Sequence, residues 1–131
     1  MKTWIALRAL LDSLESQTEY KNLDASSQRL LEWIAVRVQK EAPLHIQEII
    51  LKSEVASPAT VHKLLAILEQ EGLISMSVDV SDSRRRIVQI TTQASRLFSK
   101  LDKGLEAWAK ALAKDSASGG GSVRKITMRL T

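Results

Sequence analysis

The chain has 131 residues, 44% of them hydrophobic, and its 19 basic and 15 acidic residues give a net charge of +4. This length fits one domain, or one domain with a tail, and the hydrophobic fraction is ample for a packed core. The absence of cysteine excludes disulfide bonds, thiolate metal sites and thiol redox chemistry, and no apolar run approaches the roughly 18 residues that span a bilayer.

The surplus of positive charge is concentrated near the C-terminus. Arg124, Lys125 and Arg129 lie in a segment without acids, and residues 1–115 carry 16 basic and 15 acidic side chains. Bulk charge therefore does not indicate a nucleic-acid partner, and only local clusters of charge can.

Two helices are predicted at the start of the chain. The first covers about residues 3–17, because its apolar residues are spaced three or four apart. Charged residues interrupt them and no small-residue cleavage site follows, so we expect a helix of a cytoplasmic protein rather than a signal peptide. "DASSQRLLEWIAVRVQKEA" is the second helix, capped by Asp24 or Ser26 and closed by Pro43.

The middle of the chain predicts a pair of short helices. "LHIQEIILKS" fits two or three extended residues followed by a helix of two turns. Ser57 and Pro58 then start another helix, because serine caps exposed N–H groups and proline is tolerated at the first helical position. Gly72 ends it. The predicted buried face of this helix is Val61, Leu64, Leu65 and Leu68.

A β-hairpin is predicted directly after that helix. Apolar residues now alternate, and the residues expected to face the core are Ile74, Met76, Val78 and Val80. "SDSR" forms a polar turn, and a return strand follows in which Arg86, Val88 and Ile90 alternate with their neighbours.

The last predicted helix begins at Thr91 or Thr92 and has a heptad pattern. Its apolar positions are Ala94, Phe98, Leu101, Leu105, Trp108 and Leu112. "SASGGGS" then has the composition of a flexible linker, and "VRKITMRLT" alternates again. This tail is either a natural extension or an engineered peptide.

Two helices followed by a hairpin predict a helix-turn-helix with a wing. The second helix would enter the major groove, where Thr60 and Lys63 share the face opposite the leucines. "RRR", Arg84 to Arg86, would lie at the wing tip, where a minor groove or phosphates are within reach. In isolation such a run is more often a solvated turn, but its place inside this hairpin favours DNA contact.

"GLISMSVDVSDSRRRIVQIT", from Gly72 to Thr91, resembles the wing of the MarR-type winged-helix regulators, with Asp82 and Arg84 at the family's Asp-x-Arg positions. The preceding "SPATVHKLLAILEQEGLI" resembles the family's recognition helix, and the similarity covers about residues 25–112. Met76 and Ser83 stand where family members commonly have arginine, and the glycine that often follows the threonine at the wing's end is missing.

The resemblance implies that Arg84 reaches the DNA minor groove and that Asp82 orients it. The residues expected to contact DNA are Ser57, Thr60, His62, Lys63, Asp82, Arg84, Arg85 and Arg86. The resemblance also implies a dimer whose terminal helices intertwine, in agreement with the apolar seams of those helices. The residues expected at the dimer interface are Trp4, Leu7, Leu11, Leu14, Leu101, Leu105, Trp108 and Leu112. The alternative is that both helices cover their own domain.

The predicted organisation is mainly α with a small β-hairpin. Residues 1–23 are an N-terminal dimerisation helix, 24–92 the winged helix-turn-helix, 93–115 a C-terminal dimerisation helix and 116–131 a flexible linker and basic tail. The expected function is that of a sequence-specific regulator of transcription that binds double-stranded DNA as a homodimer, associated with the nucleoid. Two alternatives remain: a winged-helix module for protein–protein contact, and a replication or partition factor of a mobile element.

The sequence gives no support to catalysis or to a cofactor. No serine–histidine–acid set or glycine-rich phosphate loop can be identified. His45 and His62 are single and far apart, so a metal site is not expected. Trp4, Trp33 and Trp108 lie on apolar helical faces, which favours core or dimer packing over a ligand cage. A small-molecule or protein effector, the operator and the direction of regulation do not follow from these residues.

Overall fold

The structure, a computed structural model, describes residues 2–40 and 43–119, with their side chains as far as residue 115. These residues form five α-helices, one 3-10 helix and three β-strands. The helices are α1 (Lys2–Ser16), the 3-10 helix (Glu19–Asn22), α2 (Ala25–Lys40), α3 (Ile46–Lys52), α4 (Pro58–Gln70) and α5 (Thr92–Gly119). The strands are β1 (Leu44–His45), β2 (Ile74–Val78) and β3 (Arg86–Ile90). The predicted fold class, mainly helical with a β-hairpin wing, is confirmed.

Local capping fixes several helix ends. The Ser27 N–H donates to Asp24 Oδ1 at 2.7 Å, which caps α2. At the end of α4, Gly72 has a φ of +78°, which disfavours residues with a Cβ. The Gly72 N–H donates to the carbonyl of Glu69, and the Leu73 N–H donates to that of Leu68, both at 3.0 Å. These two bonds close α4 and turn the chain into β2.

The three strands form one antiparallel sheet in the order β1-β3-β2. Residue pairs from Ile74↔Ile90 to Val78↔Arg86 join β2 to β3, and His45↔Ile87 lies in the short ladder between β1 and β3. We call β2, the loop of residues 79–85 and β3 the wing.

The described residues form two compact units. Glu19–Leu97 form the first unit, which contains α2, α3, α4, the sheet and the start of α5. Its core combines one face of α2 and one face of α4 with apolar residues of α3 and the sheet. Side chains less than 2% exposed there include Leu30, Leu31, Ile34, Ile49, Val61, Leu68, Val88 and Leu97. Burial of the predicted face of α4 is confirmed.

The second unit consists of the described residues of Met1–Thr18 and Phe98–Thr131. None of the side chains described in it is buried within the single chain. The two helices nevertheless approach closely at Gly104, where an added Cβ would lie 2.3 Å from Leu14 Cδ2. Leu14 therefore has a packing partner in its own chain.

The C-terminal part of α5 departs from the predicted organisation. The helix continues to Gly119, although the small residues from Ser116 on predicted a flexible linker. Composition is a weak guide there, because a helix already formed can extend through residues of modest helix propensity. The glycine run and the alternating tail at 120–131 lie outside the described residues. Over the described part of the chain, every helix is too short or too polar to cross a membrane.

Candidate nucleic-acid interface

The N-terminus of α4 is fixed by the two residues that predicted it. Ser57 is extended, with φ −61° and ψ 157°, and its Oγ accepts the Thr60 N–H at 3.4 Å. Pro58 occupies the start of the helix, where its missing N–H costs nothing. The Ser57 hydroxyl also donates to Thr60 Oγ1 at 3.0 Å, which leaves the Thr60 hydroxyl able to donate outward.

Burial of one face of α4 determines what the other face presents. The four candidate DNA-binding residues on this helix, which are Ser57, Thr60, His62 and Lys63, are all exposed. The structure thus places them on the solvent side of the helix, as base or phosphate contact requires. Small hydroxyls, one imidazole and one ammonium can reach base edges without an apolar side chain in the way.

The turn between α3 and α4 contains an unusual backbone conformation. Glu54 has a φ of +53°, the left-handed region in which residues with a Cβ are disfavoured. The preceding Ser53 is buried and ends α3, with its N–H donating to the Ile49 carbonyl at 3.0 Å. The positive φ of Glu54 thus lies in the turn that joins the two helices.

The wing tip brings Asp82 and Arg84 together. Asp82 Oδ1 accepts both the Arg84 backbone N–H and its Nε, each at 3.1 Å. Arg84 Nη2 lies 3.5 Å from Asp82 Oδ2. The Arg84 side chain is still 89% exposed, so the guanidinium is held without being covered. This is the contact expected from their spacing, and the role of the pair on DNA remains a prediction.

Arg84 also lowers the pKa of its partner. Hydrogen bonds from the Arg84 side chain, and then from its backbone, lower the pKa of the Asp82 carboxyl. The lowered pKa favours the carboxylate form of Asp82, which accepts the hydrogen bonds of the guanidinium.

The other two arginines occupy different positions on the wing. Arg85 is partly buried, and its N–H donates to the Asp82 carbonyl at 3.0 Å within the tip. Arg86 is exposed and begins β3, paired with Val78. The structure thus gathers three cations on one short segment.

One prediction for the wing is wrong. Val78 is 55% exposed and Val80 fully exposed, whereas Asp79 between them is 8% exposed. The alternation that places Ile74 and Met76 inward slips by one residue near the end of β2. The residue that turns inward there is Asp79, whose carboxylate contacts a histidine.

The histidine is His45, and it was not predicted to have a role. His45 Nε2 lies 2.7 Å from Asp79 Oδ2, and its Nδ1 lies 3.2 Å from Glu48 Oε1. Asp79 Oδ1 also accepts the N–H and the hydroxyl of Ser81, at 2.9 and 2.8 Å. Hydrogen bonds from His45, followed by those from Ser81, lower the pKa of Asp79 to about 2. Only the spacing of His45 and Glu48 was visible in the sequence.

The candidate dimer residues of the second unit differ in exposure. Trp4 is 63% exposed and lies beneath the Arg8 guanidinium, 5.9 Å from its carbon to the ring centre. Leu105 is 40% exposed. The remaining candidates are partly buried: Leu7, Leu11, Leu14, Leu101, Trp108 and Leu112. Trp4 is thus not a core residue of the single chain.

Solved structures with a similar fold include MepR, with and without DNA, and a transcriptional regulator. The MepR–DNA complex from S. aureus superposes with a TM-score of 0.70 at 20% identity, over 99% of this chain and 96% of MepR. MepR bound to ethidium bromide gives 0.68 at 19% identity, over 98% and 86%. The transcriptional regulator Tm0710 from Thermotoga maritima gives 0.63 at 20% identity, over 98% and 87%.

The chain has a MarR-type winged-helix fold. No protein-family model matches the sequence, and neither does any curated protein. The resemblance noted in the wing and in α4 is thus confirmed at the level of the fold. In this MarR-type fold α4 is the second helix of the helix-turn-helix, and the hairpin of β2 and β3 is the wing.

Proposed function

We propose that this chain is a DNA-binding regulator of transcription. The recognition helix α4 would enter the major groove by its N-terminal turns, and the wing arginines would lie in a minor groove or on phosphates. One observation carries the proposal. The same compact unit has an exposed, polar first turn on α4 and an exposed Arg84 that is held by the carboxylate of Asp82. The fold shared with a protein solved in complex with DNA adds support.

The first turn of α4 and the wing tip have side chains suited to different parts of the duplex. Thr60 and Lys63 have the donors that base edges in the major groove accept. Arg84 has the planar fork that fits phosphate or a narrow minor groove. Because the net charge of residues 1–115 is only +1, attraction to DNA would come from these local cations rather than from the whole surface.

Salt dependence on a random duplex tests the proposal. If Lys63, Arg84, Arg85 and Arg86 each displace one counterion, the logarithm of affinity falls with the logarithm of salt with a slope of about −3.6 per chain. Affinity would then fall about a hundred-fold between 50 and 200 mM salt, and further for a dimer. Weak salt dependence, or no binding to duplex, would instead favour the protein–protein module. Selection of fragments from genomic DNA then separates a regulator, which enriches promoters, from a replication or partition factor, which enriches an origin.

The proposed functional form is a homodimer formed through α1 and α5. The second unit buries none of its described side chains and exposes Trp4, Ile5 and Leu105 by 40–63%. Exposed apolar surface of this kind usually marks an interface, and a two-fold dimer reads half-sites about one helical turn apart. Sedimentation at micromolar concentration should give a dimer, and glutamate at both Leu101 and Leu105 should give monomers. A monomeric unmodified chain would contradict the dimer.

A further inference from the structure

A buried hydrogen bond between two side chains joins the end of β2 to β1, the strand that leads into α3. His45 ends β1, and Asp79 follows the last residue of β2. Since β3 lies between these two strands, the 2.7 Å contact from His45 Nε2 to Asp79 Oδ2 reaches across the middle strand of the sheet. The two residues are 34 positions apart in sequence, and each is less than 10% exposed.

The same residues connect α3 to the wing tip. On one side, His45 precedes the first residue of α3, and its backbone N–H donates to Glu48 Oε1 at 3.4 Å. On the other side, Asp79 donates its N–H to the Arg85 carbonyl at 2.9 Å and accepts the Asp82 N–H at 3.3 Å. Asp82 in turn holds Arg84. A continuous series of hydrogen bonds therefore runs from the first helix of the helix-turn-helix to the wing tip.

The strand pairing of the wing ends before its tip. The ladder between β2 and β3 ends at Val78↔Arg86, and β1 pairs with β3 no farther toward the tip than His45↔Ile87. Val78 and Val80 are exposed, so they contribute little packing to the wing. A buried charge-assisted bond is stronger and more directional than its exposed equivalent, because water competes with it less.

We propose that His45 is a positioning residue for the wing. Through Asp79 it fixes the tip relative to α3, and so lets α4 and Arg84 contact the same duplex. This inference rests on the proposed function for its effect on DNA. The link between His45 and the order of the tip can be measured without DNA.

A double-mutant cycle on a duplex tests the effect on binding. Arg84→Ala should weaken binding roughly ten-fold. His45→Leu should weaken binding by a comparable factor in the unmodified chain and by less than about two-fold in Arg84→Ala, because the two substitutions remove one contact. In the double variant with Lys63→Ala, which acts on α4, the fold-losses in affinity of the two single variants should multiply. Unchanged affinity in His45→Leu, or an equal loss in the Arg84→Ala background, would overturn the positioning role.

Hydrogen exchange of the wing amides tests the effect on the tip. In His45→Leu the amides of Asp79, Asp82 and Arg85 should exchange faster, while Leu73 at the end of α4 keeps its protection. Ile34→Val, a mild change at a buried position of α2, is the control for lowered stability. It should not raise the exchange rates of the wing amides above those of the rest of the fold. If His45→Leu does not fold, Asp79→Ala removes the same link from the hairpin side. Unaltered wing exchange overturns the inference, whereas faster exchange without any duplex binding leaves it standing and refutes the proposed function.

Discussion

Replacing Asp82 by alanine is expected to weaken duplex binding, although it removes a negative charge from the proposed interface. Repulsion between an exposed carboxylate and a phosphate is screened by water and by salt over a Debye length of about 8 Å, so removal of Asp82 should improve binding by less than about two-fold. The opposing effect is the loss of two 3.1 Å hydrogen bonds that restrict Arg84. Ordering a free arginine on binding costs roughly two- to ten-fold in affinity. We therefore expect Asp82→Ala to bind roughly five-fold more weakly.

Fluorescence anisotropy with one labelled duplex at two salt concentrations measures this difference. Glu69→Ala is the matched control, because it removes a carboxylate from an exposed position near the other end of α4. It should leave affinity unchanged or raise it slightly. Arg84→Ala should lower affinity and flatten the salt slope by about one unit if its contact is ionic. Tighter binding by Asp82→Ala would refute the support role, and full affinity in Arg84→Ala would make the arginines a solvated loop.

Four further substitutions or conditions test other parts of the structure. Lys63→Ala should weaken binding to all duplexes if Lys63 contacts phosphate, or relax the preference at one position by roughly 1–3 kcal/mol if it contacts a base, and sequence selection distinguishes the two. If neither affinity nor preference changes, α4 does not enter the groove. Glu54→Gly should raise the free energy of unfolding by about 1 kcal/mol in urea, because its φ of +53° suits glycine; a loss would mean that the turn is not strained. Gly104→Val should lower the melting temperature, at a cost of about 1–3 kcal/mol, because its Cβ would lie 2.3 Å from Leu14. Asp79 has a pKa of about 2 in the folded protein, against an ordinary 3.8. Its contribution to the free energy of unfolding is therefore complete above about pH 4 and is lost as the pH falls toward 2. Asp79→Asn should flatten the acid limb of the stability curve, and an unchanged limb would mean that the carboxylate is not held.

The helix-turn-helix was predictable because its determinants are local. Ser57 and Pro58 start α4 by hydrogen bonding and ring geometry within one turn, and Gly72 ends it by adopting a positive φ. The heptad pattern likewise predicted α5. Such features depend on neighbours three or four residues away, which a sequence displays directly.

The root of the wing could not be predicted in the same way. Alternation over Ile74 and Met76 was extended to Val78 and Val80, but the strand's phase slips where it leaves the apolar core. The burial of Asp79 depends on a partner 34 residues earlier, and nothing in either local pattern pairs them. An isolated histidine such as His45 has no periodicity that could place it next to Asp79.

The junction at Thr91 has a consequence for how wings can vary. Its hydroxyl donates to the Gly72 carbonyl at 2.6 Å and accepts the Ala94 N–H at 3.1 Å, and its backbone N–H donates to the Leu73 carbonyl at 3.2 Å. The hairpin thus begins after α4 and ends before α5 at one place, where the hydrogen bonds of Thr91 join its two ends. Insertions or deletions between the strands lengthen or shorten the hairpin without changing where α4 ends and α5 begins. Evolution, or an engineer exchanging hairpins between regulators, can therefore alter the reach of the tip while the scaffold that carries it stays intact.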